Sequence, residues 1–128
     1  MNSMSGFWAG TYAYPNDPAP SVNFDCELLE KAGLLSGTIT ESHRPGQMLV
    51  ASLSGQLSGQ KIQFIKSYHN GGEAYLWEIA YSGQVSPKKD HITGNWHVGM
   101  RTGTFEMHRD IGQLRGADMR ETEKMISR

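Results

Sequence analysis

Leu53-Ser54-Gly55-Gln56-Leu57 and Ile92-Thr93-Gly94-Asn95-Trp96 are two copies of one five-residue pattern: an apolar residue, Ser or Thr, Gly, any residue, then a second apolar or aromatic one. The pattern returns as Leu35-Ser36-Gly37-Thr38-Ile39 and Tyr81-Ser82-Gly83-Gln84-Val85, with Arg101-Thr102-Gly103-Thr104-Phe105 as a variant. In each copy the glycine and both outer residues share one parity, so on a strand they point to the same face. A glycine between two large inward residues lets the strand bend and leaves room for an aromatic side chain arriving from across a barrel. The spacing therefore predicts an all-β fold: a single eight-stranded antiparallel up-and-down β-barrel, followed by a short C-terminal tail or helix.

Working outward, strands are expected over 6–14, 22–31, 34–41, 49–58, 61–69, 75–86, 91–98 and 102–109. The segment from Val22 to Leu28 alternates strictly, with Val22, Phe24, Cys26 and Leu28 on one face and polar residues on the other. Ser58-Gly59-Gln60, Asn70-Gly71-Gly72 and the stretch from Ser86 to Asp90 are hairpin-length connections built from turn residues. Longer breaks fall at Pro15 to Pro20 and at Ser42 to Gln47, where prolines interrupt pairing. Parity carried through these strands points ten of the twelve aromatic residues inward: Trp8, Tyr12, Tyr14, Phe24, Phe64, Tyr68, Trp77, Tyr81, Trp96 and Phe105. Only Phe7 and Tyr75 fall outside that set. A flat sheet of this size would leave many of these rings wet, so closure is favoured.

The 128 residues divide into a barrel over 1–109 and a charged tail over 110–128 that could form a short helix. A net charge of -1 supplies no general basic field, which argues against nucleic acid as a partner. Cys26 is the single cysteine, so no intramolecular disulfide or Cys-rich zinc site can form. Its inward parity beside Phe24 and Leu28 suits a small core filler rather than a nucleophile. The opening residues lack the basic start and apolar run of a secretory signal, and no stretch reaches the length of a membrane span. A cytoplasmic protein is expected.

Gly6-Phe7-Trp8 on the first strand and Phe105-Glu106-Met107-His108-Arg109 on the last together resemble the calycin superfamily of lipocalins, fatty-acid-binding proteins and avidins. The resemblance implies that Trp8 sits at a closed barrel end with Arg109 packed across its indole. Phe64-Ile65-Lys66-Ser67-Tyr68, Tyr81-Ser82-Gly83 and Gly94-Asn95-Trp96 are in addition similar to bacterial domains of unassigned function within that superfamily, which implies a fold and no activity. The heme-binding nitrobindins share a Gly-x-Trp-x-Gly-x-Gly start, but Tyr12 stands where the last glycine would be. They also need an inward axial histidine, whereas His69, His91, His97 and His108 take outward parity and His43 lies in a loop. The polar residues of an avidin-type biotin site find no residue-by-residue match.

Lys66 is aimed inward between Phe64 and Tyr68, and a buried lysine head must find a carboxylate or acceptors, or lose its proton. One reading makes it an anchor for an anionic ligand head group, with the hydroxyls of Tyr12, Tyr68 and Tyr81 nearby. Another pairs it internally with Glu41, whose parity is also inward; a bulge in the strand would turn it out altogether. His91 and His97 are the histidines that could meet across strands, and without a third donor on one face the histidines read as surface residues. The sequence thus points to no catalytic residue, no metal ligand and no cofactor. It favours a barrel that binds a small apolar or aromatic molecule at one mouth, anionic if Lys66 anchors it, through Lys66, Tyr12, Tyr68, Trp77, Tyr81 and Trp96. Two alternatives stay open. One is a filled barrel serving as an interaction or homodimer scaffold, with Val50 and Ile65 as an outward apolar patch. The other is an enzyme of isomerase or lyase type using Lys66 or a tyrosine.

Overall fold

The computed structural model describes residues 3–15 and 21–110. Eight strands follow in chain order: β1 (Gly6–Ala13), β2 (Val22–Lys31), β3 (Leu34–Arg44), β4 (Gln47–Ser58), β5 (Lys61–Tyr68), β6 (Ile79–Val85), β7 (His91–Val98) and β8 (Arg101–Arg109). Each pairs antiparallel with its chain neighbour, and β8 pairs back onto β1 to close the barrel. The all-β, eight-stranded up-and-down architecture expected from the glycine pattern is the one observed. Residues 16–20 of the proline-rich connection and the tail beyond Asp110, including the expected helix, lie outside the described residues.

Period-two patterning accounts for the closure. On β2, Phe24, Cys26 and Leu28 are buried while Asn23, Asp25 and Glu27 are exposed. The pattern glycines do face inward; the rings beside Gly55, Gly94 and Gly103, and beside Gly10 of β1, come from the adjacent strand, whereas the Phe105 ring over Gly83 reaches it from β8, two strands away, and Gly37 meets β2 backbone and no ring. Gly10 pairs with Phe24, Gly55 with Phe64, Gly94 with Phe105 and Gly103 with Trp96. Strong coiling carries each ring over its cross-strand neighbour, and a side chain at the glycine would occupy the same space. A Cβ at Gly10 would collide with the Phe24 ring, and one at Gly103 with the Trp96 indole.

Two expected boundaries are corrected. The break at 42–47 contracts to a turn around Pro45 and Gly46, because β3 and β4 run on past a register shift between Ser42 and Arg44. Strand six begins at Ile79 and not at 75. Gly71 and Gly72 adopt φ of 106° and 80°, and the chain then makes a 3₁₀ turn over Glu73–Tyr75. Trp77 is therefore not an inward strand residue: it is 72 % exposed, whereas Tyr75, expected to point away, packs edge-on against Tyr68 with ring centroids 5.0 Å apart.

One barrel end is sealed. Trp8 is fully buried, its indole N–H donates to the Met4 carbonyl at 2.9 Å, and the Arg109 guanidinium lies 4.6 Å over its ring. The guanidinium also donates to the carbonyls of Lys89, Ser3, Met4 and Ser5, so one cation ties the opening segment and the β6–β7 connection to the last strand. Above this plug, Leu28, Leu35, Ile39, Leu53, Ile62, Val85, Ile92 and Met107 fill the interior. Phe64 stacks on Tyr81 with centroids 4.7 Å apart, and Phe105 stands edge-on to both.

Cys26 belongs to that filled half and is 2 % exposed. Burial, with help from the Glu27 and Asp25 carboxylates, pushes its thiol up to about 12. The thiolate is the reactive form, so at pH 8 a disulfide reagent such as Ellman's should release no colour from the folded protein and one thiol equivalent after unfolding in urea. Fast labelling of the native chain would contradict this placement.

Candidate functional site

An up-and-down barrel sends alternate connections to the same end. The β3–β4 turn, the β5–β6 connection and the β7–β8 turn therefore gather opposite the Trp8–Arg109 plug. There the interior is not filled: a cavity of about 600 Å³ remains, its wall including Tyr12, Leu49, Tyr68, Ile79, Tyr81 and Trp96. Trp77 and the fully exposed Met100 form part of its rim.

The polar centre of the cavity is a buried ion pair. Lys66 Nζ donates to Glu41 Oε2 at 2.5 Å, with the two residues only 1 % and 2 % exposed. Parity on β5 and β3 places both heads inside, and because the two strands flank β4 the long side chains meet across its inner face. Glu41 also accepts from the Tyr12 hydroxyl at 2.9 Å and from the Tyr68 hydroxyl at 2.8 Å. The ammonium faces aromatic rings on its remaining sides, 4.6 Å from the centroids of both Tyr12 and Tyr68 and 5.5 Å from that of Tyr81. Burial drives the Lys66 pKa below its ordinary value, and the Glu41 carboxylate opposes that shift. Tyr12, Tyr68 and Tyr81 are all pushed above the usual phenol value, chiefly by burial and further by the Glu41 charge, so each keeps its hydroxyl proton.

Tyr81 differs from the other two. It is 3 % exposed and lines the cavity, yet its hydroxyl forms no hydrogen bond with another of the described residues. The Trp96 indole N–H is already taken by the Ala13 carbonyl at 3.1 Å, and its ring stands edge-on to Tyr14 and Tyr12 as a wall. Five of the six residues singled out in the sequence thus meet on the cavity wall, and Trp77 stands at the rim. Glu41 enters the sequence reading only as a partner for Lys66, although its inward parity is visible there. Tyr75 is absent from the inward set read from the sequence, although it opens the expected strand at 75 and shares the parity of Trp77 and Tyr81, and that shared parity is the signal that marks it.

No protein-family model and no curated protein matches this chain. Solved structures do. A redesigned β barrel aligns with a TM-score of 0.69 at 7 % identity, over 84 % of this chain and 91 % of its own. Another redesigned β barrel, mFAP1 bound to DFHBI, aligns with a TM-score of 0.64 at 7 % identity, over 83 % of this chain and 94 % of its own. A mutant of the fluorescent protein UnaG aligns with a TM-score of 0.47 at 9 % identity, over 82 % and 94 %. At such identities the first two show a shared barrel fold and nothing about chemistry.

Outside the barrel, the expectation for the histidines needs correction. His91 and His97 lie on the same strand, β7, and cannot face each other across a strand pair. His91 instead sits opposite His108 of β8, the imidazoles stacked with centroids 4.5 Å apart. Among the described residues, no helix is long and apolar enough to cross a membrane.

Proposed function

We propose that this protein binds one small, largely apolar or aromatic molecule in the open half of its barrel. The observation that carries the reading is the cavity of about 600 Å³ above a solid lower core, a size within the range of small-molecule sites. A barrel packed solid by the same side chains would have removed the proposal's basis. The Tyr81 hydroxyl gives the ligand a directional partner, while Tyr68, Trp96 and Ile79 give it apolar walls. Because Glu41 already neutralises Lys66, the site offers little net positive charge, which favours a neutral ligand over an anionic one. The binding of DFHBI by mFAP1 supports the view that a barrel of this fold can hold such a molecule. The Trp8–Arg109 plug supports a calycin-like origin for the scaffold.

The test has two parts. Native mass spectrometry of gently purified protein, followed by denaturing extraction, should reveal any stoichiometric small molecule. Titration with N-phenyl-1-naphthylamine, an uncharged fluorescent aromatic amine, should show saturable binding that weakens by about tenfold or more in Ile79→Trp, which fills the cavity. A protein that carries no molecule, and whose probe fluorescence is the same in wild type and Ile79→Trp, would overturn the reading.

A further inference from the structure

On the outer surface, well away from the cavity, β7 and β8 bring three metal-ligating side chains together. His91 lies directly opposite His108 in the ladder, and Glu106, two residues earlier on β8, shares the same outward face. His91 Nε2 is 2.7 Å from Glu106 Oε2, and His108 Nε2 is 3.8 Å from Glu106 Oε1. A donor atom from each of the three residues lies within 4.8 Å of the other two. We propose that His91, Glu106 and His108 form a surface site for a borderline transition-metal cation, zinc being the best match.

The donor set fits that chemistry. Two neutral imidazoles and a carboxylate suit Zn²⁺, which takes three protein ligands and leaves a fourth position to water. Tetrahedral bonds of about 2.0–2.1 Å require donors about 3.3 Å apart. The His91–Glu106 contact must therefore open slightly, the His108–Glu106 contact close slightly, and the stacked rings splay around the ion. These are rotations of side chains that are 39 %, 45 % and 57 % exposed, for His91, Glu106 and His108 respectively, and they disturb no core packing. The backbone register does the expensive part, because the paired strands fix the three Cα positions before metal arrives.

The neighbouring strand leaves the approach clear. Ala9 and Thr11 of β1, paired with His108 and Glu106, are small, and beside them runs a groove of about 400 Å³ bordered by Asn23 and Asp25. Water or a small anionic ligand can therefore reach the open coordination position.

Isothermal titration calorimetry of the full chain with Zn²⁺ at pH 7.5 should show one equivalent bound, and Mg²⁺ under the same conditions no heat of binding. His91→Ala and His108→Ala, both at solvent-accessible positions, should each weaken Zn²⁺ binding by about tenfold or more. In wild type, zinc should shift the amide resonances around His91, Glu106 and His108 and leave those around the cavity in place. The proposal fails if no equivalent is bound, if either alanine variant keeps wild-type affinity, or if the shifted resonances lie elsewhere. None of these outcomes depends on whether the cavity holds a ligand.

Discussion

Replacing Glu41 with leucine should lower the unfolding free energy by about 3–5 kcal/mol at pH 7, because it leaves the Lys66 ammonium buried without its carboxylate. Lys66 is 1 % exposed and its hydrogen-bonding acceptor is Glu41. The aromatic faces around it offset only part of the lost hydration. For the stranded charge alone, an upper limit comes from letting the lysine shed its proton instead: moving from an unfolded pKa of about 10.4 to the neutral form at pH 7 costs roughly 4–5 kcal/mol. The double variant Glu41→Leu/Lys66→Met removes both charges and should recover most of the loss, since paired burial is itself of small net benefit. Urea unfolding followed by tryptophan fluorescence measures all three differences. A single variant within 1 kcal/mol of wild type, on the order of an exposed pair, would sink the account. So would a double variant no more stable than the single one.

A pH dependence follows from the same buried charge. Burial lowers the Lys66 pKa in the folded chain, so between the folded and unfolded values the unfolded chain holds the extra proton. Stability therefore rises with pH through that window and falls as pH drops. In Glu41→Leu the folded pKa moves down further, because the carboxylate that raised it is gone. The penalty relative to wild type should then shrink as pH rises from 7 towards the ordinary lysine value, where the unfolded chain also loses the proton. A penalty independent of pH would mean that lost packing, rather than a stranded charge, is what the substitution removes.

Parity was enough to place Lys66 and Glu41 on the inner face, because both lie within continuous strands of the closed barrel. It failed at Trp77. Tyr75, Trp77, Ile79 and Tyr81 alternate as a strand would, so nothing in that local pattern shows where pairing stops. Pairing is decided by partners: β7 turns back at Gly99, with φ of 58°, so residues 75–77 have no ladder partner on that side, and although the β5 register would set Trp77 opposite Tyr68, the 3₁₀ turn over Glu73–Tyr75 keeps the chain off that ladder until Ile79. The cavity follows from the same event, since the departing chain takes Trp77 to the rim instead of into the interior. The histidine cluster was legible by a different count. The Gly99–Met100 turn pairs Val98 with Arg101, and equal steps back along both strands arrive at His91 and His108. Cavity volume was not legible, because it depends on how far each ring leans over its neighbour, a property of strand coiling that no single strand encodes.

The glycine pattern that disclosed the fold should also mark its most sensitive backbone positions. Gly94→Ala is expected to cost about 3 kcal/mol or more, at the upper end for overpacking. The backbone of Gly94 is ordinary strand, so the cost is one of space: its Cβ would collide with the Ser82 carbonyl oxygen and the Gly83 Cα on β6, and backbone on a paired strand cannot yield as a flexible side chain can. Gly94 and Gly83 face each other in the ladder, and the close approach of β6 and β7 there is what tightens the barrel beneath Phe105. Gly59 is the natural comparison. It lies in the β4–β5 turn with φ of 62°, and an added methyl group would meet nothing within 4 Å, so Gly59→Ala carries only the left-handed backbone cost, about 1 kcal/mol. Urea midpoints for the two variants separate steric closure from conformational preference. Equal losses would mean that the inward glycines are retained for local flexibility, and that the barrel could close with side chains in their place.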